Sequence, residues 1–291
     1  MALRCMVPST KSALHLPGWL HDLVERHLEE EIELPILPEA SARIVALCED
    51  EKADARAIEG TLERDPSLAA HVLRVANSAA FAPKEPIVAL HQAVSRLGLA
   101  TIRNIALGVS LRGQVFHVPG QEARMRAIWA HCATAAAFAR SLARRLRRNV
   151  EGAFLCALLH DVGRPAVLQA TVQGLAHRTK EPLPDSLLET AMDEFHEEFA
   201  RRLVESWKLA DWTVSVVAHH HDPEKAAPYQ EEARITRLAD LLSYWAHDAQ
   251  QGPGDFPSDD PVIGELNLYP EDVEALLAER DAALQFAEAF Q

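Results

Sequence analysis

The sequence predicts an all-α protein. Glycine is sparse, at 12 of 291 residues, whereas alanine and leucine, which have high helix propensity, are abundant. Apolar residues recur at three- and four-residue spacings, and no stretch shows the strict alternation of a half-buried strand. With 48 % apolar residues, the chain is long enough for one large domain or two modest ones, each with a real core.

The first part of the chain is predicted to contain an extension followed by a helical unit. Residues 1–33 form the extension, with one short amphipathic helix from about Trp19 to Glu31. The proline-marked stretch LPILPEA begins a unit over residues 34–118, in which we expect about five short helices. Within it, Asp65 can cap a helix whose first residue is Pro66, because proline lacks the N–H that this position leaves unpaired.

A second helical unit is predicted over residues 119–250. It opens with a long helix from about Glu122 to Arg148, on which apolar residues form one stripe. A loop and a single helix that starts at Pro270 make up residues 251–291. Further helices of the second unit are expected near residues 152–161, 186–208, 211–221 and 231–247.

The net charge of −14 argues against functions that need a broadly basic surface. We expect no DNA partner and no attachment to a membrane, although one small anionic ligand could bind in a local basic pocket. No apolar run approaches the ~20 residues of a membrane span, and the four cysteines form no CxxC pair, which fits a cytoplasmic protein. Four arginines of the long helix favour a solvated surface over phosphate binding: Arg140, Arg144, Arg147 and Arg148.

The stretch FLCALLHDVGR carries the first chemical signal. Six apolar residues end in His160 and Asp161, and ionisable side chains at the end of such a helix are costly unless they have partners. Neutral imidazoles together with a carboxylate are the donors that borderline divalent metals choose. Arg164 follows closely enough to steer a phosphate.

Other histidines fall on apolar faces of separate predicted helices. His131 lies on the stripe of the long helix, and His196 shares a face with apolar neighbours. If the 211–221 segment is helical throughout, His220 and His221 point together and His219 points away, as a surface residue or a neighbour of the ligands.

The closing carboxylate of this series is Asp240. It points away from the apolar face of its predicted helix, so it needs a second buried face or is simply exposed. If the helices bundle around one point, the predicted ligands of one or two ions of iron, manganese, zinc or nickel are His131, His160, Asp161, His196, His220, His221 and Asp240.

A divalent ion in such a site would polarise a phosphoryl oxygen and lower the pKa of a water towards neutrality, which suits phosphoester hydrolysis. Asp161 and Arg164 are then the candidate catalytic residues. No residue of these motifs is typical of a covalent nucleophile. A purely structural alternative is that the histidines pack on each other without an ion, although several imidazoles and two carboxylates would then need internal hydrogen-bond partners.

Five stretches, taken in order, resemble the HDOD domain, a bacterial signalling relative of the HD-domain metal-dependent phosphohydrolases. The resemblance covers about residues 32–247, and the stretches read LPILPEA, RDPSLAAHVLRVANSAAF, AVSRLGLATIRNIAL, FLCALLHDVGR and AHHHDP. The resemblance implies a two-lobed helical bundle, with a five-helix unit packed on an HD-like unit. It also implies a regulatory or protein-interaction role, often linked to cyclic dinucleotides, with a signalling protein as partner.

The sequence departs from this family's habit, since most HDOD modules have lost their metal ligands. Here the ligand series resembles that of the two-metal HD-GYP phosphodiesterases, position by position from His131 to Asp240. Yet no Gly-Tyr-Pro segment follows the histidine pair, and Arg164 stands where those enzymes usually have lysine. We therefore expect no hydrolysis of cyclic-di-GMP.

Two functions remain in competition at this point. One is a regulatory HDOD module that keeps a metal site and acts by binding a nucleotide, a phosphoester or a protein partner. The other is a working metal-dependent phosphohydrolase, so whether the protein is an enzyme stays open.

Overall fold

A computed structural model describes residues 15–29, 36–49, 55–78, 81, 83–111, 116, 118–176 and 183–290. It is helical throughout, and no β-strand occurs in these residues. Asp65 caps its helix as predicted, since its side chain accepts a 3.0 Å hydrogen bond from the backbone N–H of Leu68.

The first lobe consists of five short helices after an N-terminal helix. The N-terminal helix is α1 (Gly18–Glu29), and the five are α2 (Glu39–Glu49), α3 (Ala55–Leu62), α4 (Pro66–Ala76), α5 (Leu90–Leu97) and α6 (Leu99–Ser110). Helices α2 to α6 pack on one another, whereas α1 packs on the second lobe. Gly98 joins α5 to α6 at a φ of 79°, a conformation that glycine adopts without strain.

The second lobe is built around one long helix. Its helices are α7 (Glu122–Leu146), α8 (Val150–Leu159), α9 (Gly163–Ala176), α10 (Asp185–Ser206), α11 (Asp211–Ala218) and α12 (Gln230–His247). Helix α7 packs against α8 and α12, and α9 packs against α10. The two lobes share a continuous apolar core, in which Ile102 and Ile105 of the first lobe meet Phe138 and Phe154 of the second.

The C-terminal segment differs from the predicted loop and single helix. It forms α13 (Pro261–Glu265), α14 (Pro270–Leu277) and α15 (Arg280–Ala289). The chain turns at Arg280, whose guanidinium donates to the carbonyl oxygens of Ala246, Asp248 and Gln251 at the end of α12. This anchor directs Phe286 of α15 into the shared core, where it is fully buried.

The structure contains a helix that the sequence did not predict. Helix α9 begins directly after the HD pair, and Gly163 at its start is typical of a break in a helix. Arg144, Arg147 and Arg148 are exposed, but Arg140 is partly buried, with its guanidinium carbon 4.0 Å from the ring centroid of Phe81. The division at residues 33, 118 and 250 stays a prediction.

None of the helices in the described part of the chain has the length and apolar character needed to cross a membrane. The cytoplasmic location stays a prediction.

Candidate metal centre

The seven predicted ligands come from five different places in the second lobe. His131 lies in α7, His196 in α10 and Asp240 in α12, while the two pairs follow the ends of α8 and α11. Six of the seven side chains belong to buried residues, and His221 is partly buried. The fold therefore brings together side chains that are up to 109 residues apart in the sequence.

The first set of side chains is called here the carboxylate group, and its members are His131, His160 and Asp240. The Nε2 atom of His131 lies 2.8 Å from Oδ1 of Asp240 and 3.3 Å from Nε2 of His160. His160 Nε2 lies 3.3 Å from the same carboxylate oxygen. The potential ligand atoms of the group all lie within 4.8 Å of one another.

The second set is called the imidazole group, and its members are His196, His220 and His221. The Nε2 atoms of His196 and His221 are 3.1 Å apart, and the rings of His220 and His221 are 4.0 Å apart at their centroids. The ligand atoms of this group also lie within 4.8 Å of one another. The Nε2 atom of His220 is buried and has no hydrogen-bond partner.

Asp161 lies between the two groups. Its Oδ1 is 3.6 Å from Nε2 of His196, and its Oδ2 is 3.7 Å from Nε2 of His160. Arg164 forms an ion pair with it, with Nε 2.7 Å from Oδ2, but the atoms are not aligned for a hydrogen bond. Both carboxylate oxygens are thus buried without a hydrogen-bond partner, which is costly unless another cation is present.

Backbone carbonyls fix the rings of three histidines. The Nδ1 atoms of His160, His196 and His220 lie 2.7–2.9 Å from carbonyl oxygens three or four residues earlier in the chain. A carbonyl oxygen only accepts, so each Nδ1 carries the proton and donates. The Nε2 atoms therefore face the centre, which is the arrangement of metal-bound histidines.

The glycine of the HDVG stretch permits a close contact between helices. A Cβ atom on Gly163 would lie 1.9 Å from the carbonyl oxygen of His196. Only glycine fits at this position, where α9 begins against α10. The contact sets the distance between Asp161, two residues earlier, and the imidazole of His196.

Asp240 is buried because α12 has a second buried face. Thr236, Asp240 and Ser243 follow one another at helical spacing, and all are buried although they are polar. The opposite apolar face packs in the shared core, as the sequence predicted. The polar face turns towards α7 and its His131, with which both Asp240 and Ser243 have contacts.

The three consecutive histidines lie in a turn, not in a helix. Helix α11 ends at Ala218, so the argument from helical angles does not hold for this segment. His220 and His221 nevertheless lie at the centre, and His219 is partly exposed. Arg237 of α12 supports the turn by donating a 2.9 Å hydrogen bond to the carbonyl oxygen of His221.

Arg164 is held on two sides by carboxylates. Its Nη1 lies 2.8 Å from Oδ1 of Asp193 in α10, opposite the ion pair with Asp161. Only 3 % of the arginine is exposed. Its contacts are those of a residue that fixes the position of Asp161. The predicted contact with a phosphate would require Arg164 to break one of its two ion pairs.

The pKa values of the histidines are shifted in opposite directions in the two groups. Burial lowers the pKa of His160, but Asp161 and Asp240 outweigh this and raise the pKa to about 9. Burial and Arg164 lower the pKa of His196 to about 3, and burial and His196 lower that of His221 to about 4.

The two carboxylates at the centre stay ionised. Burial raises the pKa of Asp161, but Arg164 and His160 outweigh it and hold that pKa well below its usual range. Hydrogen bonds with His131 and His160 have the same effect on the pKa of Asp240, again against the effect of burial.

Several neighbours of the centre were not found from the sequence. Asp193 is one exposed-looking acid among several on its helix, and only its pairing with Arg164 distinguishes it. Tyr244 stacks on His131 with ring centroids 4.3 Å apart. The three-residue spacing from Asp240 to Ser243 could have indicated a polar face on α12, but nothing in the sequence identifies its partner.

The residues present fit a divalent transition metal. Imidazole nitrogens and carboxylate oxygens are its usual donors, and the unpartnered atoms of Asp161 and His220 lie where an ion would satisfy them. By contrast, the histidine–aspartate pair on α1 belongs to a half-exposed cluster, in which the imidazole of His21 lies 3.6 Å from the carboxylate of Glu25 and 3.5 Å from that of Glu194.

Comparisons with known proteins agree with this architecture. The solved structure of a candidate metal-dependent phosphohydrolase from Shewanella amazonensis SB2B superposes with a TM-score of 0.74 at 19 % identity, covering 94 % of this chain and 98 % of that one. A candidate signal transduction protein from Marinobacter aquaeolei VT8 gives 0.66 at 24 % identity, covering 94 % and 65 %. At these identities the likeness concerns the fold alone.

A curated relative and a family model complete the comparison. An uncharacterised protein of Treponema pallidum (strain Nichols) is 24 % identical over 207 residues, which are 67 % of this chain and 40 % of the relative's length. Residues 34–223, more than half of the chain, match the model of the HDOD domain. The chain therefore belongs to the HDOD family.

Proposed function

We propose that the protein is an HDOD signalling module that binds a divalent transition metal in its second lobe. One observation carries the proposal: seven side chains from five places in the fold meet at one buried point, where both oxygens of Asp161 and the Nε2 of His220 have no hydrogen-bond partner. Buried polar atoms in native proteins are rarely left unpaired, so an ion is the simplest partner.

In this role the metal centre would bind a ligand or a protein partner without chemical turnover. The partly buried side chains of His221 and Tyr244 mark the side from which a phosphoester, a nucleotide or a protein partner would approach. The signalling role is supported by the family, and by the likeness to a Marinobacter protein named for signal transduction.

A second candidate function is metal-dependent phosphoester hydrolysis. It is favoured by the position of Asp161, which shares a ligand cluster with His160 and His220 and so could bridge two ions. A bound ion would polarise a phosphoryl oxygen and lower the pKa of a water. The surroundings of the centre would keep the imidazoles of the imidazole group neutral and the two carboxylates ionised. Arg164 would hold Asp161 in place.

Elemental analysis of protein purified without chelator tests the proposal. We expect about one or two ions of iron, manganese, zinc or nickel per chain, held by the seven ligands. A chain that contains no such ion, and that takes up none from a metal-supplemented buffer, would contradict both functions and leave the histidines as core packing.

Turnover then separates the two functions. Metal-loaded protein is incubated with bis-p-nitrophenyl phosphate and with cyclic-di-GMP. Metal without turnover supports the signalling role, whereas release of nitrophenol that disappears in His160→Ala supports hydrolysis. We expect no linear dinucleotide from cyclic-di-GMP, because the Gly-Tyr-Pro segment is missing.

A further inference from the structure

Ser243 of α12 makes two contacts with the same histidine of α7. Its Oγ donates a 2.9 Å hydrogen bond to the carbonyl oxygen of His131 and lies 3.0 Å from Nδ1 of the ring. The serine is fully buried, so no water competes for these contacts.

The two contacts fix the direction of the hydrogen bonds. A serine hydroxyl has one proton, and the carbonyl oxygen can only accept it. The hydroxyl oxygen is then left to accept from Nδ1, which must carry a proton. With the Nδ1 proton held by Ser243, Nε2 is the nitrogen of His131 that remains for a metal, and it faces Asp240 and His160.

His131 differs in this respect from three other histidines of the centre. His160, His196 and His220 donate their Nδ1 protons to backbone carbonyls three or four residues earlier, which no substitution removes. His131 depends on a side chain supplied by another helix. That helix also supplies Asp240, three residues before Ser243 and on the same face, so α12 contacts both nitrogens of the ring.

We propose that Ser243 is a positioning residue, which sets the tautomer and the ring orientation of His131 so that Nε2 can bind the metal. The proposal rests on the proposed function, because it needs a metal at this centre. Loss of comparable partners of metal-bound histidines in other proteins typically costs 10–100-fold in metal affinity.

The same pair of helices offers a matched control. One turn along α7, the Oγ1 of Thr134 lies 3.0 Å from Nε2 of His247 on α12. Thr134 is fully buried, as Ser243 is, but its hydroxyl contacts His247, which is not one of the seven predicted ligands. Thr134→Val removes a buried hydroxyl between α7 and α12 without changing the shape of the side chain.

The test measures zinc affinity of the full chain by competition with a chromophoric chelator. We expect Ser243→Ala to lower the affinity at least tenfold and Thr134→Val to leave it within about twofold. Equal losses in the two variants, or wild-type affinity in Ser243→Ala, would overturn the proposal while leaving the proposed function intact.

A spectroscopic measurement separates positioning from a loss of general stability. In zinc-loaded protein labelled with ¹⁵N-histidine, we expect His131 to show a protonated Nδ1 and a metal-bound Nε2. Ser243→Ala should remove this pattern from His131 alone, whereas a structural defect would change several histidines or none. If the wild-type chain itself binds none of zinc, iron, manganese and nickel, the proposed function fails and this inference fails with it, and that result is visible before any substitution is made.

Discussion

The two groups of ligands differ in what their nitrogen and oxygen atoms pair with when no metal is bound. In the carboxylate group, His131 and His160 share the oxygen of Asp240, and a proton on His160 balances the charge. In the imidazole group, lowered pKa values keep the rings neutral, and the Nε2 of His220 faces the centre without a partner. One group is thus held together by its own charges, whereas the other contains an imidazole nitrogen, the Nε2 of His220, that has no partner.

This difference implies two modes of metal binding in one centre. A metal that enters the carboxylate group must displace a proton, so its affinity there depends on pH. A metal that enters the imidazole group displaces none above about pH 4, since the rings are already neutral. Asp161, between the groups, supplies charge to both.

The first prediction, with the largest effect, removes the charge shared by the groups. We expect Asp161→Asn to lower bound metal close to zero in elemental analysis, because it removes one of the two carboxylates of the centre, the one that lies between the two groups. Asp161→Ala should do the same, but it leaves Arg164 without one of its two carboxylates in a buried place, which can cost about 3–5 kcal/mol of folding stability.

Asp193→Asn is the matched control for this experiment. Asp193 contacts Arg164 from the other side, at 2.8 Å, and is not one of the seven predicted ligands. It should keep its metal. If both amide variants lose metal equally, then Arg164, and not the Asp161 carboxylate, holds the centre together.

The second prediction changes the distance between the two groups by moving one helix against another. In Gly163→Ala the new Cβ would overlap the backbone carbonyl of His196, so α9 must shift against α10. We expect the free energy of unfolding in urea to fall by about 4 kcal/mol, and the imidazole group to lose metal before the carboxylate group does.

Gly60→Ala on α3 provides the comparison. Its Cβ would meet nothing within 4 Å, so alanine in this helix should stabilise the protein by roughly 0.5–1 kcal/mol. A Gly163→Ala protein as stable as the wild type would mean that the close contact between α9 and α10 does not control the centre.

The third prediction uses the opposite pKa shifts of the two groups in metal-free protein. The pKa of His160 is raised from 6.5 to about 9, so its stabilising contribution is complete below pH 6.5 and is lost as the pH rises through 9. The pKa values of His196 and His221 are lowered, so their contribution is complete above pH 6.5 and is lost as the pH falls towards 4 and 3. The stability due to these residues should therefore peak near pH 6.5.

Urea unfolding in the presence of a chelator measures this dependence. Between pH 6.5 and 9.5, wild-type protein should lose about 3 kcal/mol more than His160→Gln, at about 1.4 kcal/mol for each unit of pKa shift. Bound metal replaces the proton, so the loaded protein should lack this alkaline decrease. Parallel curves for wild type and His160→Gln would show that the carboxylate group is not held by a proton on His160.

The sequence predicted the all-α fold and the burial of two of the histidines at the centre, because both follow from local patterns. Periodicity placed His131 and His196 on buried faces, and the capping of α4 by Asp65 follows from two adjacent residues. Asp240 could not be placed in this way. Its burial depends on which helix covers the second face of α12, and that is a property of the packing.

The sequence also did not predict features that depend on how two helices pack or on which distant side chain a residue contacts. Helix α9 begins directly after the HD pair, and Gly163, which pattern reading treats as a helix breaker, starts it because α10 lies so close. The serine that contacts His131 comes from 112 residues further along the chain, and no spacing connects the two.

The last and smallest prediction concerns the three consecutive histidines, and it tests which of them belongs to the imidazole group. His220 and His221 face the centre from a turn after α11, whereas His219 is partly exposed and occupies the C-cap position of that helix. His219→Ala should change the free energy of unfolding by no more than about 0.5 kcal/mol and leave the metal content unchanged, as is usual for a surface substitution. His221→Ala, two residues along the chain, should lower the occupancy of a second ion and leave the first in place, because it removes a donor from the imidazole group alone. Titration of the two variants with zinc distinguishes these outcomes, and loss of metal in His219→Ala would mean that the turn presents a different pair of histidines to the centre.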